Sequence, residues 1–452
     1  MAPPPPVEQG AFRARLVVRG DIRQFAGKMV PWLAKGGLAA IDQALISGSN
    51  FIIGILLGRW LPETEYGTYA TAFSIFLLLS LLFNSMVLEP MMVFGGSSYN
   101  DCLAGYMKSL LKLHAVIGGV VFCGLGLAAA GSWLFGHGGS MPVALLGVMI
   151  AAPCVLLFWL VRRAFYLNHS VASSAGGSIV YCTLVLGGLM VTHSFGYASS
   201  FISFVLMAVG ALATSLFLLF RLRTVLDSTN PGPPFKEVLG RHWTYGRWAF
   251  AGAITRWIPA YIYFPLLGYF ATMAQAGELK ALLNLPAPIE QTYGAMSMLL
   301  LPYAARQMAG NATHKAGSLE RRITLLCVAA TLPFWLLVVP FPSLVFQFLY
   351  KGHYLQVAYL VPVIALSSLI WSATNGPVVV LRAMELPSSV FVAYSFSSAV
   401  AVLAGVPLTW KFGLPGVVWS IVVSNAAAYV VAWIYLRRKS NVVTKVPVLV
   451  DQ

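Results

Sequence analysis

The sequence predicts an all-α, polytopic membrane protein with about twelve transmembrane helices, in two six-helix bundles around a central cavity. Composition, the spacing of apolar runs and the distribution of basic residues all point to it. Of the 452 residues, 58% are apolar and 10% are charged, against about 45–50% and about 25% in a soluble domain. A soluble fold has no place for that much apolar surface. The net charge of +15 does not indicate nucleic acid, because no segment joins dense Lys and Arg to enough soluble sequence for a binding module.

Residues 1–36 are expected to form a basic cytoplasmic tail. The Pro3 to Pro6 run cannot open a helix, but Ile22, Phe25, Met29 and Trp32 recur at helical spacing among Arg19, Arg23, Lys28 and Lys35. That pattern suits either an interfacial helix on an anionic leaflet or a basic flank to the first span. No cleavable leader is expected, since the first long apolar run carries Asp42 and Asn50 and lacks a small-residue cleavage site.

Spans are predicted at 37–58, 67–95, 108–133, 141–161, 171–192 and 197–220, then at 246–270, 276–305, 322–347, 355–380, 387–410 and 413–436. With both termini cytoplasmic, 24 of the 29 Lys and Arg residues lie on the inner side, among them Arg162 and Arg163 after the fourth span. Arg59, Lys280, Lys351 and Lys411 fall outside, and Arg256 lies within a span. A miscounted span would exchange the sides downstream of it. The linker 221–245 holds Asn230-Pro231-Gly232-Pro233-Pro234, a breaker cluster that separates an N-terminal lobe, 37–220, from a C-terminal lobe, 246–436. Residues 437–452 form a second cytoplasmic tail.

The lobes show traces of duplication. Leu56-Leu57-Gly58 with Gly67 recurs as Leu266-Leu267-Gly268 with Gly277, a constant offset of 210 residues. Arg163-Ala164 with Leu167 recurs as Arg382-Ala383 with Leu386. Two six-span repeats start on the same side, so their symmetry axis runs along the membrane normal and the cargo path lies between them.

An ionisable residue inside a span costs about 2.5–3.5 kcal/mol on insertion scales, so each one needs a reason. Span 1 carries Asp42, followed by Gln43, Ser47 and Asn50 on one helical face. That face lines a wet cavity or bonds to neighbouring helices. Arg256 sits roughly 15 Å into span 7, near the midplane. It can grip a phosphate or acidic sugar bidentately, or neutralise Glu290 on span 8. Span 8 also presents Lys280 and Asn284 and is expected to break near Pro286 and Pro288. Glu89, before Pro90, is a candidate for proton or sodium coupling along with Asp42 and Glu290, although a packing role at a helix end is open to it. Tyr261 and Tyr263 could stack on sugars or anchor at an interface.

Absences narrow the function. There is no Walker A loop, nucleophile elbow or His-rich metal motif, and none of the five Asp residues forms an Asp-x-Asp pair. The five cysteines are odd in number and lack ligand spacing, which suits small buried residues. The chain is therefore expected to be a non-enzymatic protein without a metal or cofactor.

The stretch Asp42-Gln43, Ser47, Asn50-Phe51, Gly58-Arg59, Glu65-Tyr66-Gly67 and Glu89-Pro90 resembles the start of Wzx-type polysaccharide and O-antigen flippases. These are bacterial transporters of the multidrug/oligosaccharidyl-lipid/polysaccharide exporter superfamily. The resemblance covers roughly residues 38–95. It implies a multi-pass protein of the bacterial inner membrane that moves a polyprenyl-diphosphate-linked oligosaccharide between leaflets by alternating access. Its partners would be that lipid-linked glycan, membrane lipids and glycan polymerase or export machinery. The family's cavity is often cationic, whereas the visible charge here is thin, Arg256 and Lys280 being the main candidates. The substrate-binding set expected on this basis is Arg256, Gln43, Ser47, Asn50, Lys280 and Asn284. The alternatives are an ion-coupled drug antiporter, which needs an acidic, aromatic pocket, and a noncatalytic scaffold for a glycan synthase.

Overall fold

A computed structural model of the protein describes residues 37–38, 40–134, 139–167, 170–226, 232–308 and 316–443. The candidate interfacial helix at 22–32 and the Asn230-Pro231 part of the linker lie outside the described residues. All regular structure among the described residues is helical. The N-terminal lobe comprises α1 (Ala40–Trp60), α2 (Glu63–Gly95), α3 (Asn100–Leu134), α4 (Ser140–Leu167), α5 (Val171–Ser194) and α6 (Ser200–Leu226). The C-terminal lobe comprises α7 (Phe235–Tyr261), α8 (Tyr263–Phe270), α9 (Met273–Asn284), α10 (Ala287–Met308), α11 (Ala316–Val338), α12 (Pro342–Tyr350), α13 (Leu355–Ala383), α14 (Pro387–Phe412) and α15 (Leu414–Val443).

Ten of these helices are long and apolar enough to cross a membrane. The remaining two expected crossings are broken. The seventh is divided between α7 and α8, two residues after Pro259, and the eighth between α9 and α10 at Leu285-Pro286. Each proline removes a backbone donor and crowds the preceding turn. Large apolar side chains such as Leu127, Leu216 and Leu337 are exposed at 75%, 58% and 74%, which suits a surface bathed in lipid. The cysteines range from buried to exposed: Cys182 and Cys327 are buried, and Cys123 is exposed.

Within the first lobe, α4 packs against α3 and α6. The Glu65 carboxylate accepts from the backbone N–H and hydroxyl of Ser200, satisfying a donor at the start of α6. In the second lobe, α13 packs between α11 and α15. There the Tyr293 hydroxyl lies 2.6 Å from Thr331 Oγ1, which is 2.8 Å from Ser372 Oγ, linking α10, α11 and α13. Each interhelical bond of this kind contributes about 0.6 kcal/mol.

The two lobes touch most closely where α2 crosses α9. A Cβ on Gly67 would lie 1.6 Å from the Met273 carbonyl oxygen, and one on Gly277 would lie 2.5 Å from the Glu63 carbonyl oxygen. Glu63 and Met273, like Gly67 and Gly277, are 210 residues apart, so the contact is reciprocal about a local twofold axis. Only glycine lets the two backbones approach this far. Around the crossing, Tyr66 donates to the Gly54 carbonyl at 2.8 Å. Asn284 Nδ2 donates to the Tyr66 and Tyr350 hydroxyls at 3.0 and 3.2 Å, and Arg59 reaches the Phe348 carbonyl at 3.3 Å. These contacts close the far end of the bundle, opposite the basic loops.

A second interlobe contact lies at the basic end. Residues 84–88 of α2 form a π-helical turn just before Pro90. Pro90 has no N–H for the Met86 carbonyl one turn earlier, and His242 Nδ1 of α7 lies 2.9 Å from that oxygen. The Tyr106 hydroxyl is 2.7 Å from His242 Nε2. With Nδ1 donating to a carbonyl, Nε2 of the neutral ring accepts from Tyr106. Burial pushes the imidazole pKa of His242 below its usual 6.5, as does the neighbouring Arg241 guanidinium, against the raising effect of the Met86 carbonyl.

Candidate functional site

Between the lobes lies a cavity of about 380 Å³. From the N-terminal lobe it is lined by Gln43 and Ile46 of α1, by Leu77, Ser80, Leu81, Asn84 and Leu88 of α2, and by Trp159, Arg162 and Arg163 of α4. From the C-terminal lobe it receives Ala253, Arg256, Trp257 and Tyr261 of α7. Among its described lining residues none is acidic, and three are arginines.

The sequence undercounted this charge. Arg162 and Arg163 were expected in a loop after a span ending at 161, but α4 continues to Leu167 and carries both into the cavity wall. Phe165, Tyr166 and Leu167 supply the apolar face for that extra turn, and they are the signal that could have revealed it. The expected thinness of the cavity charge is corrected accordingly. α7 likewise begins at Phe235, about three turns before the start expected at 246.

Asp42 is fully buried inside the N-terminal lobe and is not part of the lining. Its Oδ2 accepts from the Tyr166 hydroxyl and from Ser174 Oγ at 2.9 Å, and its Oδ1 accepts from the Ser178 hydroxyl. Arg162 Nε lies 3.7 Å away. Four polar partners from α4 and α5 hold this carboxylate, and one of them, Arg162, also faces the cavity. Asp42 therefore fixes a cavity arginine from behind and neutralises part of its charge.

The other predicted residues divide. Gln43 lines the cavity and donates to Ser47 Oγ at 3.2 Å, while Ser47 and Asn50, farther along the same face, are half-buried and outside the lining. Arg256 is exposed into the cavity. Asn284 is buried and engaged with Tyr66 and Tyr350, so its amide holds the far-end closure and does not face the cavity. Lys280 Nζ lies 5.6 Å from the Phe73 ring of the opposite lobe.

The expected pairing of Arg256 with Glu290 is not formed. Glu290 follows the break at Pro286, and the cation within its electrostatic reach is Lys280, on the other side of that break. Glu89 accepts from the Tyr245 hydroxyl at 3.0 Å in the contact at the basic end. Tyr261 lines the cavity, whereas Tyr263 is buried with its hydroxyl 3.5 Å from the Ala401 carbonyl.

No protein-family model matches the chain, and no curated protein sequence matches it. Solved structures share its fold. A multidrug resistance MATE family transporter of the MOP superfamily, in an inward-facing conformation, superposes with a TM-score of 0.70 over 90% of this chain and 96% of its own, at 13% identity. The lipid II flippase MurJ, in an inward closed conformation, gives 0.68 over 90% and 89% at 10% identity. A MOP superfamily transporter from Pyrococcus furiosus, described as having a binding pocket of reverse polarity, gives 0.59 over 90% and 95% at 14% identity. The chain is a multi-pass helical membrane protein with the fold of these transporters.

Proposed function

We propose that this protein translocates a polyprenyl-diphosphate-linked oligosaccharide across the bacterial inner membrane by alternating access, with both termini cytoplasmic and without enzymatic chemistry. The observation that carries it is the lining of the interlobe cavity: Arg162, Arg163 and Arg256, with no acidic side chain among the described lining residues. A diphosphate needs several guanidinium forks converging on it in a water-poor space, and these come from both lobes. Trp159, Trp257 and Tyr261 supply flat apolar faces beside them, suited to sugar rings. The prenyl chain would stay in lipid between the lobes. A cationic drug would meet three arginines, one of them unbalanced, and no acidic side chain among the described lining residues, which disfavours the antiporter alternative despite the MATE-like fold. Asp42, Glu89 and Glu290 are the candidates for coupling to protons or sodium, Asp42 acting through Arg162.

The test is flipping of a fluorescent polyprenyl-diphosphate oligosaccharide in proteoliposomes. Arg256→Gln is expected to lower the rate at least tenfold, since a charge-assisted hydrogen bond to phosphate is worth about 1.5–3 kcal/mol. Arg163→Gln should behave alike. Transport of cationic dyes by the unaltered protein, with no glycolipid movement, would overturn the proposal.

A further inference from the structure

At the far end of the bundle, Glu63 opens α2 and Glu278 lies in the second turn of α9, so the two carboxylates come from different lobes. Both accept hydrogen bonds from one nitrogen, Gln356 Nε2, at 2.9 and 3.0 Å. A single neutral amide thus stands between two negative charges. Beside it, Tyr354 is completely buried, at 0% exposure, and its hydroxyl has no hydrogen-bond partner. Glu63 and Glu278 both lie within electrostatic reach of that hydroxyl. Tyr354 is also held at φ +67°, a left-handed conformation in which a bulky side chain is uncommon. A buried phenol oxygen is costly to leave unpaired, and this one lies within electrostatic reach of two carboxylates that share a single donor.

We infer that these residues form a site for a hard divalent cation of the calcium class, which ties the two lobes together at their far end. The donor set is two carboxylates and the Tyr354 oxygen, joined by the Gln356 amide oxygen once that amide turns over and its nitrogen leaves the two carboxylates. It is all oxygen and carries a charge of −2, which a divalent ion neutralises and a monovalent ion does not. Long Glu and Gln side chains from separate elements give the loose geometry that calcium accepts, whereas magnesium demands a near-ideal octahedron. Transition metals prefer nitrogen or sulfur donors, and this set offers oxygen alone. Two carboxylates make for weak binding, in the range of about 0.1–1 mM found in modules that face calcium-rich surroundings. An ion held here joins Glu63 to Glu278 and favours the state in which α2 and α9 are closed at this end. The site is independent of the cargo.

The test is thermal unfolding of the purified full-length protein in detergent, stripped with chelator and titrated with calcium chloride, with magnesium and sodium chlorides at matched ionic strength. Calcium is expected to raise Tm saturably, with a midpoint of about 0.1–1 mM. The paired substitution Glu63→Gln with Glu278→Gln should abolish the shift. Tyr354→Phe, which keeps the ring packing, should move the midpoint up about tenfold. Absence of a saturable calcium shift, an equal saturable shift with sodium, or a calcium response unchanged in the paired variant would each overturn the inference. If the paired variant does not purify, an unaltered midpoint in Tyr354→Phe overturns it alone.

Discussion

Asp42 shows how a residue can be conspicuous in a sequence and still have its job hidden. A carboxylate in an apolar span announces itself, but the hydroxyls of Tyr166, Ser174 and Ser178 that hold it lie more than 120 residues away. What it fixes, Arg162, looked like an ordinary loop cation. His242 was less conspicuous still, and its role follows from a missing donor at Pro90. Because burial lowers its pKa, the neutral ring is the folded form. The sign follows: a depressed folded pKa gives stability that is present above the unfolded value of about 6.5 and lost as pH falls through the lower folded value. Thermal unfolding between pH 7.5 and pH 5 should therefore show a loss of Tm toward acid that is smaller in His242→Gln. Parallel profiles for the two proteins would remove this histidine from the acid response.

At the scale of elements, helix identity was legible wherever a long apolar run stood alone, and the break in the eighth crossing was legible from Pro286 and Pro288. Helix ends were less so. α4 and α7 extend beyond their apolar windows because basic and aromatic residues continue the helix into the interface, where hydropathy falls although backbone hydrogen bonding does not. That Glu290 comes within electrostatic reach of Lys280 and not of Arg256 was illegible for a different reason: a break changes the phase of every residue after it. The glycine repeat, legible in the sequence only as a trace of duplication, marks the contact between the lobes. Gly67→Val should force α2 and α9 apart, since even a Cβ would overlap the Met273 carbonyl. A cysteine placed at Asn284 in that background is expected to react with a membrane-impermeant maleimide several times faster than in the glycine parent, and an unchanged rate would count against the crossing as the far-end closure.

For the whole molecule, composition and the one-sided distribution of basic residues were enough for an all-helical membrane fold, but they could not say how the lobes meet. That depended on residues distant in sequence and polar in character: Tyr66 with Asn284, Tyr106 with His242, Glu63 with Glu278. The reciprocal contact between Gly67 and Gly277 has the form of a twofold dimer interface in which each copy offers the same patch. Chains cut within the linker should accordingly reassociate. Co-expressed fragments 1–228 and 229–452 are expected to copurify through a tag on one of them, and copurification should fail when Gly67→Val is introduced.

The clustering of arginines at the seam has an electrical consequence. Arg162 has Asp42 behind it and Arg163 has Glu89 within reach, but Arg256 has no ion-pair partner among the described residues. If the seam swings from one face of the bilayer to the other, that unbalanced positive charge crosses part of the transmembrane field, at about 2.3 kcal/mol per full charge per 100 mV. Under the proposed function, a negative interior would draw the empty protein toward its cytoplasmic-facing state, and an anionic diphosphate bound at Arg256 would cancel that pull.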